Sequence, residues 1–262
     1  MKLADIRALH KGKDDNFYSR IFYRRVSPYV TYIFIKLGIS ANAATWLSVV
    51  SALLGCFMIS LSKTSYTLIG LFFIQFWYVL DHVDGEIARF TRTSSKEGLY
   101  LDVMTHNLVH PVIFFSYGLD TVNTIPMFVN FFDMTFPLRR LILFFSFIAG
   151  LSVIIIDLAS ALRFQVLATG HANKVKVLKD TTEITFRLRH LHPVTKPANN
   201  FLFRIWHILW NVLCIPGAIW FLTAGSLFKI NHILLPLYSI LLSLLAVKAI
   251  LVRMKAGIDT LY

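Results

Sequence analysis

The chain has 262 residues, of which 56% are hydrophobic and only 15% charged, against about 25% charged residues in typical soluble domains. Its mean hydropathy is +0.63. A soluble domain of this size could not bury so much apolar surface, and the composition also excludes a disordered chain, a coiled coil and a secreted disulfide scaffold. We therefore expect the net charge of +12 to be arranged around a membrane, not a nucleic acid.

Residues 1–40 are predicted to form a cytoplasmic segment that lies on the membrane surface. Between Phe17 and Gly38, basic residues alternate with aromatic ones, which suits an amphipathic helix whose rings enter the headgroup region while Arg and Lys face anionic lipid. An ordinary juxtamembrane linker held by its positive charge is the alternative.

Residues 41–262 are predicted to form one all-α, polytopic bundle of six transmembrane helices. A bilayer core needs about 20 apolar residues per helix, and six stretches meet or approach this length. They are Ala43–Leu61, Tyr66–Leu80, Leu99–Gly118, Leu141–Leu162, Ile205–Ala224 and Ile230–Val252.

The distribution of Lys and Arg predicts the orientation. Most lie in the N-terminal segment, after the second and fourth spans and at the C-terminal end, whereas Lys63, Arg139, Arg140 and Lys229 fall on the opposite side. The positive-inside rule then makes both termini cytoplasmic in a multi-pass protein of a bacterial inner membrane or its equivalent.

Acidic residues gather where the second span ends and the third begins. Asp81 and Asp84 share one helix face, and Asp102 and His106 share another, with a short cytoplasmic loop expected between them. Ionisable groups at membrane helices are costly and are therefore functional candidates. Carboxylates converging from two helices would repel one another without a cation, and Mg²⁺ is the natural occupant of an oxygen-rich site.

This region resembles the signature of the CDP-alcohol phosphatidyltransferase family, D-x2-D-G-x2-A-R-x8-G-x3-D-x3-D. Seven fixed residue types match, with every spacing intact: Asp81, Asp84, Gly85, Ala88, Arg89, Gly98 and Asp102. Upstream, the stretch from Gly38 to Thr45 looks like the family's entry into its first span. The resemblance covers about the first half of the chain.

The resemblance implies a transferase active site at the cytoplasmic surface. Asp81, Asp84 and Asp102 would hold Mg²⁺ or Mn²⁺ against the diphosphate of a CDP-alcohol. The residues that would contact the nucleotide and its phosphates are Asn42, Thr45, Gly85, Arg89 and Gly98. For Asn42 and Thr45, a simple role at the start of the first span is an alternative.

The last Asp of the signature is replaced by His106. In the family that Asp is taken as the base that deprotonates the acceptor hydroxyl, and imidazole suits that role because its ordinary pKa lies near 6.5. The alternatives are that His106 contacts the acceptor, or that it marks a protein that binds nucleotide without turnover.

Asp157 and Arg163, near the cytoplasmic end of the fourth span, are weaker candidates for the acceptor site. A phosphate on the acceptor could face Arg163, or the two residues could simply shield each other from lipid.

The function predicted on this resemblance is transfer of a substituted phosphoryl group from a CDP-alcohol to an acceptor hydroxyl, with release of CMP, in phospholipid, glycolipid or polymer synthesis. The family also implies a homodimer. The alternatives are an inactive CDP-alcohol-binding protein and a cation-dependent transporter, although carboxylates at one membrane face disfavour the transporter.

Overall fold

A computed structural model describes residues 3–8, 17–126, 129–131, 134–170, 212 and 214–258. Within these ranges, the side chains of 129–131, 134–136, 160–170 and 252–258 lie outside the description. The helices are α1 (Leu3–Ala8), α2 (Arg24–Lys36), α3 (Ala41–Ser60), α4 (Thr64–Phe90), α5 (Lys96–Val122), α6 (Leu138–Gly170), α7 (Ile215–Phe228) and α8 (Asn231–Ile258). A π-helical turn (Ser19–Tyr23) leads into α2, and a short antiparallel hairpin pairs β1 (Val129–Phe131) with β2 (Met134–Phe136).

Local sequence explains where the helices around the site begin. Gly38, at φ +72°, ends the turn after α2, and the Ser40 hydroxyl accepts a hydrogen bond from Ala43 N at 3.2 Å, which caps α3. In the same way, Ser95 Oγ accepts from Gly98 N at 3.0 Å and caps α5. Both helices therefore start at fixed positions beside the signature residues.

Two glycines, one on each helix, lie where α3 and α4 cross. A Cβ on Gly55 would lie 2.9 Å from Gly70 O, and a Cβ on Gly70 would lie 2.6 Å from Gly55 O. Since no larger residue fits at this crossing, the two glycines allow the backbones of α3 and α4 to approach each other closely.

Four of the described helices are long and apolar enough to cross a membrane: Ala41–Ser60, Thr64–Phe90, Leu138–Ala159 and Asn231–Leu251. They match the first, second, fourth and sixth predicted spans. Large apolar side chains on these helices are exposed, among them Phe57, Phe72, Phe147 and Leu244. Exposure of this kind is expected where lipid is the solvent.

The third and fifth predicted spans are not among these four candidate membrane-crossing helices. α5 is long enough, but Asp102, His106, Asn107 and His110 lower its apolar character, and it is not among the candidate spans. For the fifth span, Ile205–Ala224, the structure describes a 14-residue apolar helix from Ile215 to Phe228, while most of the residues before it lie outside the described ranges. Six spans therefore remain a prediction.

The expected loop between the second and third spans is much shorter than predicted. α4 does not end at Leu80 but continues to Phe90, and α5 begins at Lys96, so Gly85, Arg89 and Gly98 lie within helices. The helix can continue because the charged residues of this stretch face protein groups, as described below.

Candidate active site

Asp81 and Asp102 approach each other from α4 and α5, and His106 lies between them. His106 Nε2 is 2.6 Å from Asp81 Oδ1 and 3.8 Å from Asp102 Oδ1. The three side chains are only 16–27% exposed. The short connection between the helices places these groups face to face, as the sequence predicted.

One ligand atom from each of Asp81, Asp102 and His106 fits within 4.8 Å of the other two. Two carboxylates and an imidazole at this spacing fit a divalent cation, because its charge would offset the repulsion between the carboxylates.

Asp84 lies beside this cluster but faces a different partner. Thr45 Oγ1, on α3, donates to Asp84 Oδ2 at 2.7 Å, and the Asp84 residue is only 8% exposed. The alternative reading of Thr45 as a simple buried residue near a helix start is therefore incomplete, since its hydroxyl orients a signature carboxylate. Whether Asp84 itself contacts a metal stays a prediction.

The two signature glycines lie where other predicted binding residues come close. A Cβ on Gly85 would be 2.9 Å from Arg89 Nη1, so glycine leaves room for the guanidinium to fold back along α4. A Cβ on Gly98 would be 3.6 Å from Asn42 Oδ1. The start of α3 therefore meets the start of α5 at Asn42 and Gly98, and Arg89 folds back over Gly85 on α4, whereas contact of these residues with a nucleotide stays a prediction.

His110 follows His106 by one turn on α5, precedes Pro111 and is buried with a partner from another helix. Its Nδ1 lies 3.0 Å from Asp157 Oδ2, and its ring stacks on that of His106 with centroids 5.1 Å apart. Trp77 contacts both imidazoles edge-on. The sequence spacing already indicated that these residues share a helix face, because residues 102, 106 and 110 follow one another at one-turn intervals on α5.

Asp157 therefore has a defined partner, which is His110. The side chain of Arg163 lies outside the described residues, so the predicted Asp157–Arg163 pair is not addressed by the structure. A contact of either residue with the acceptor remains a prediction.

A second polar face of α4, turned toward the N-terminal segment, was missed by sequence reasoning. Glu86 is fully buried and accepts hydrogen bonds from the hydroxyls of Ser27 and of Thr31, the latter at 2.6 Å. About three turns earlier on α4, Gln75 Oε1 accepts a hydrogen bond from Tyr23 OH at 2.6 Å. These bonds attach the N-terminal segment directly to the signature helix.

The fold and site together define a helical membrane protein with a carboxylate–imidazole centre at the meeting of α4 and α5. The sequence model of the family described as CDP-alcohol phosphatidyltransferase matches residues 39–186, which is more than half of the chain. The chain belongs to this family.

Two curated relatives are similar over a shorter stretch. Both are called "Bifunctional IPC transferase and DIPP synthase": one, from Archaeoglobus fulgidus, is 35% identical over 106 residues, covering 40% of this chain and 21% of the relative. The other, from Thermococcus kodakarensis, is 35% identical over 97 residues, covering 37% of this chain and 21% of the relative. The matched stretch thus spans about a fifth of each relative's length.

Proposed function

We propose that this protein is an integral-membrane transferase that moves a substituted phosphoryl group from a CDP-alcohol to an acceptor hydroxyl and releases CMP. The observation that supports this most strongly is the convergence of Asp81, Asp102 and His106 from the two helices of the family signature. Family membership supports CDP-alcohol phosphotransfer in general.

Asp81, Asp84 and Asp102 are proposed to hold a divalent cation, Mg²⁺ or Mn²⁺, beside the donor. Such a cation, when bound, neutralises the diphosphate and makes CMP a better leaving group. The chain's own contribution is to fix the carboxylates: the Thr45 hydroxyl orients Asp84, and the short α4–α5 connection sets Asp81 opposite Asp102.

Arg89 and Asn42 are proposed to bind the CDP moiety. Arg89 would pair with phosphate oxygens in the two-pronged manner that Lys cannot copy. Gly85 supports this role because it leaves space beside the guanidinium, and Gly98 keeps the backbone near Asn42 open.

His106 is proposed to receive the acceptor's proton. A carboxylate only accepts hydrogen bonds, so the 2.6 Å contact with Asp81 supports a neutral ring that carries its proton on Nε2, with Nδ1 as the proposed basic atom. The acceptor oxygen then forms its bond to the phosphorus that carries the alcohol, the bond from that phosphorus to the CMP oxygen breaks, and the hydroxyl proton passes to Nδ1. Asp81 stabilises the resulting imidazolium, as the carboxylate of a catalytic dyad does.

Asp157 is proposed to act through His110, which stacks on His106, while Arg163 is proposed to face the acceptor. A substrate-facing role for Arg163 would suit an acceptor that carries a phosphate. The names of the two relatives include a transferase activity, which supports group transfer, and family membership supports a donor of the CDP-alcohol class. The pathway we propose is synthesis of a phospholipid or a related glycolipid or polymer.

For the whole chain, we propose residues 1–40 as a cytoplasmic interfacial segment and 41–262 as a six-span domain that forms a homodimer. The four long apolar helices and the Lys/Arg asymmetry support a multi-pass protein with both termini and the active site in the cytoplasm. This orientation would give the site access to cytoplasmic CDP-alcohols.

The experiment is release of labelled CMP from a panel of CDP-alcohols by the purified protein in nanodiscs, with and without Mg²⁺. Asp102→Asn should abolish release, whereas Glu97→Gln, which removes an exposed acid one turn earlier on α5, should leave it unchanged. A wild-type protein that binds CDP-alcohol but never releases CMP would favour the non-catalytic alternative, and equal activity of both variants would overturn the metal assignment.

A further inference from the structure

The N-terminal helices form a cavity that the proposed reaction does not use. It has a volume of about 410 Å³ and is lined by Arg7 from α1 and by Arg24, Arg25 and Tyr29 from α2. Among these described lining residues there are three guanidinium groups and no carboxylate. The cavity is therefore strongly electropositive.

Arg7 is held in place on one wall of the cavity. Its neighbour Ile6 is fully buried and anchors α1 against the protein. Arg7 Nη2 donates to the Tyr29 hydroxyl at 2.6 Å, and the guanidinium lies 5.1 Å from the Tyr29 ring centroid. A pre-positioned guanidinium loses less conformational freedom on binding an anion than a mobile one does.

The charges around Arg24 add to the positive potential. Burial and the nearby Arg89 lower the pKa of Arg24, and Glu86 opposes this effect only in part. Glu86 itself is buried, accepts hydrogen bonds from Ser27 and Thr31, and is not among the residues that line the cavity. An anion in the cavity would relieve repulsion among the arginines.

The surface next to the cavity is apolar. Val26 and Ile33 on α2, and Leu37 directly after it, lie within a few turns of Arg25 and Tyr29, and they are 38%, 52% and 69% exposed. A soluble anion would gain nothing from these side chains, whereas the acyl chains of a lipid would cover them.

We propose that this cavity binds the phosphate of an anionic phospholipid headgroup, with Arg7 and Arg25 as its principal contacts. The lipid is a bound component of the N-terminal segment and is distinct from the donor and acceptor at the α4–α5 cluster. Because α2 is bonded to α4 through Glu86, the bound lipid fixes the N-terminal segment where it meets the signature helix. The proposal does not depend on the catalytic assignment.

The test is native mass spectrometry of the full chain released from nanodiscs of phosphatidylcholine, alone or mixed with phosphatidylglycerol. The wild type should retain one phosphatidylglycerol molecule. Arg7→Gln combined with Arg25→Gln should weaken this binding about tenfold or more, since each change removes a charge-assisted hydrogen bond. The control, Arg20→Gln combined with Lys36→Gln, removes two charges from the same segment but none from the cavity.

An equal loss in both double variants would overturn the proposal, because it would show diffuse attraction to an anionic surface. Unchanged retention in the cavity variant would also overturn it. If inorganic phosphate displaces phosphatidylglycerol, the ligand of the cavity is a soluble phosphate and the proposed lipid is wrong. If the Gln pair does not insert, Arg7→Lys with Arg25→Lys keeps the charge but removes the planar fork, and it should still bind more weakly than the wild type.

Discussion

The hydrogen bond from Thr45 to Asp84 gives a sharp test of how the first long helix supports the signature. Thr45→Val keeps the volume and the branched shape of the side chain but removes the donor 2.7 Å from Asp84 Oδ2. The carboxylate is then left almost wholly buried, at 8% residue exposure, without that partner.

The size of the effect follows from the chemistry of the bond. A hydrogen bond to a charged group is worth about 1.5–3 kcal/mol, and 1.4 kcal/mol is a factor of ten. If this orienting energy is lost in the donor complex, kcat/KM for CMP release should fall by about 10- to 100-fold. Thr45→Ser retains the hydroxyl and should recover most of the activity.

A second hydrogen bond between a threonine and an aspartate provides a matched control. Thr67 Oγ1 donates to Asp120 Oδ1 at 3.3 Å, and both residues are about as buried as Thr45 and Asp84. Thr67→Val should therefore lower thermal stability without changing kcat/KM, because this pair lies at the opposite end of α4. Equal activity losses in the two valine variants, or wild-type kcat/KM in Thr45→Val, would refute the orienting role of Thr45.

Two further changes probe the surroundings of the cluster. Gly85→Ala would place a methyl group 2.9 Å from Arg89 Nη1, so KM for the CDP-alcohol should rise severalfold with little change in thermal stability, and an unchanged KM would remove Arg89 from the donor site. Asp157→Asn should lower kcat more than it raises acceptor KM, because it loosens the His110 ring that stacks on His106. The opposite pattern, a raised acceptor KM at constant kcat, would mean that Asp157 contacts the acceptor itself.

The membrane class and the proximity of Asp81, Asp102 and His106 were predictable because they depend on local patterns. Length and hydropathy of the apolar runs indicated spans, and the one-turn spacing of Asp102 and His106 placed both on a single face of α5. The matched spacing of the signature then implied the convergence of Asp81 with Asp102, which the structure confirms as a geometric fact.

The remaining features depend on contacts between distant segments, which no local pattern encodes. No local pattern indicated that Glu86 would be buried, because its partners Ser27 and Thr31 are more than fifty residues away in the chain. These partners stabilise Glu86 within the last turns of α4, which continues to Phe90 through residues that were expected in the loop. The partner of His110 was equally unpredictable, because Asp157 comes from another helix.

The most direct test of the α4–α5 cluster as the catalytic centre is the turnover number of His106→Ala under saturating donor and acceptor. Removal of a general base typically costs about 10²- to 10⁴-fold in rate, and a fall of this size in kcat for CMP release is predicted. His232→Ala, which removes an imidazole from the start of α8, should leave kcat unchanged. A His106→Ala protein that inserts normally and releases CMP at the wild-type kcat would contradict the assignment.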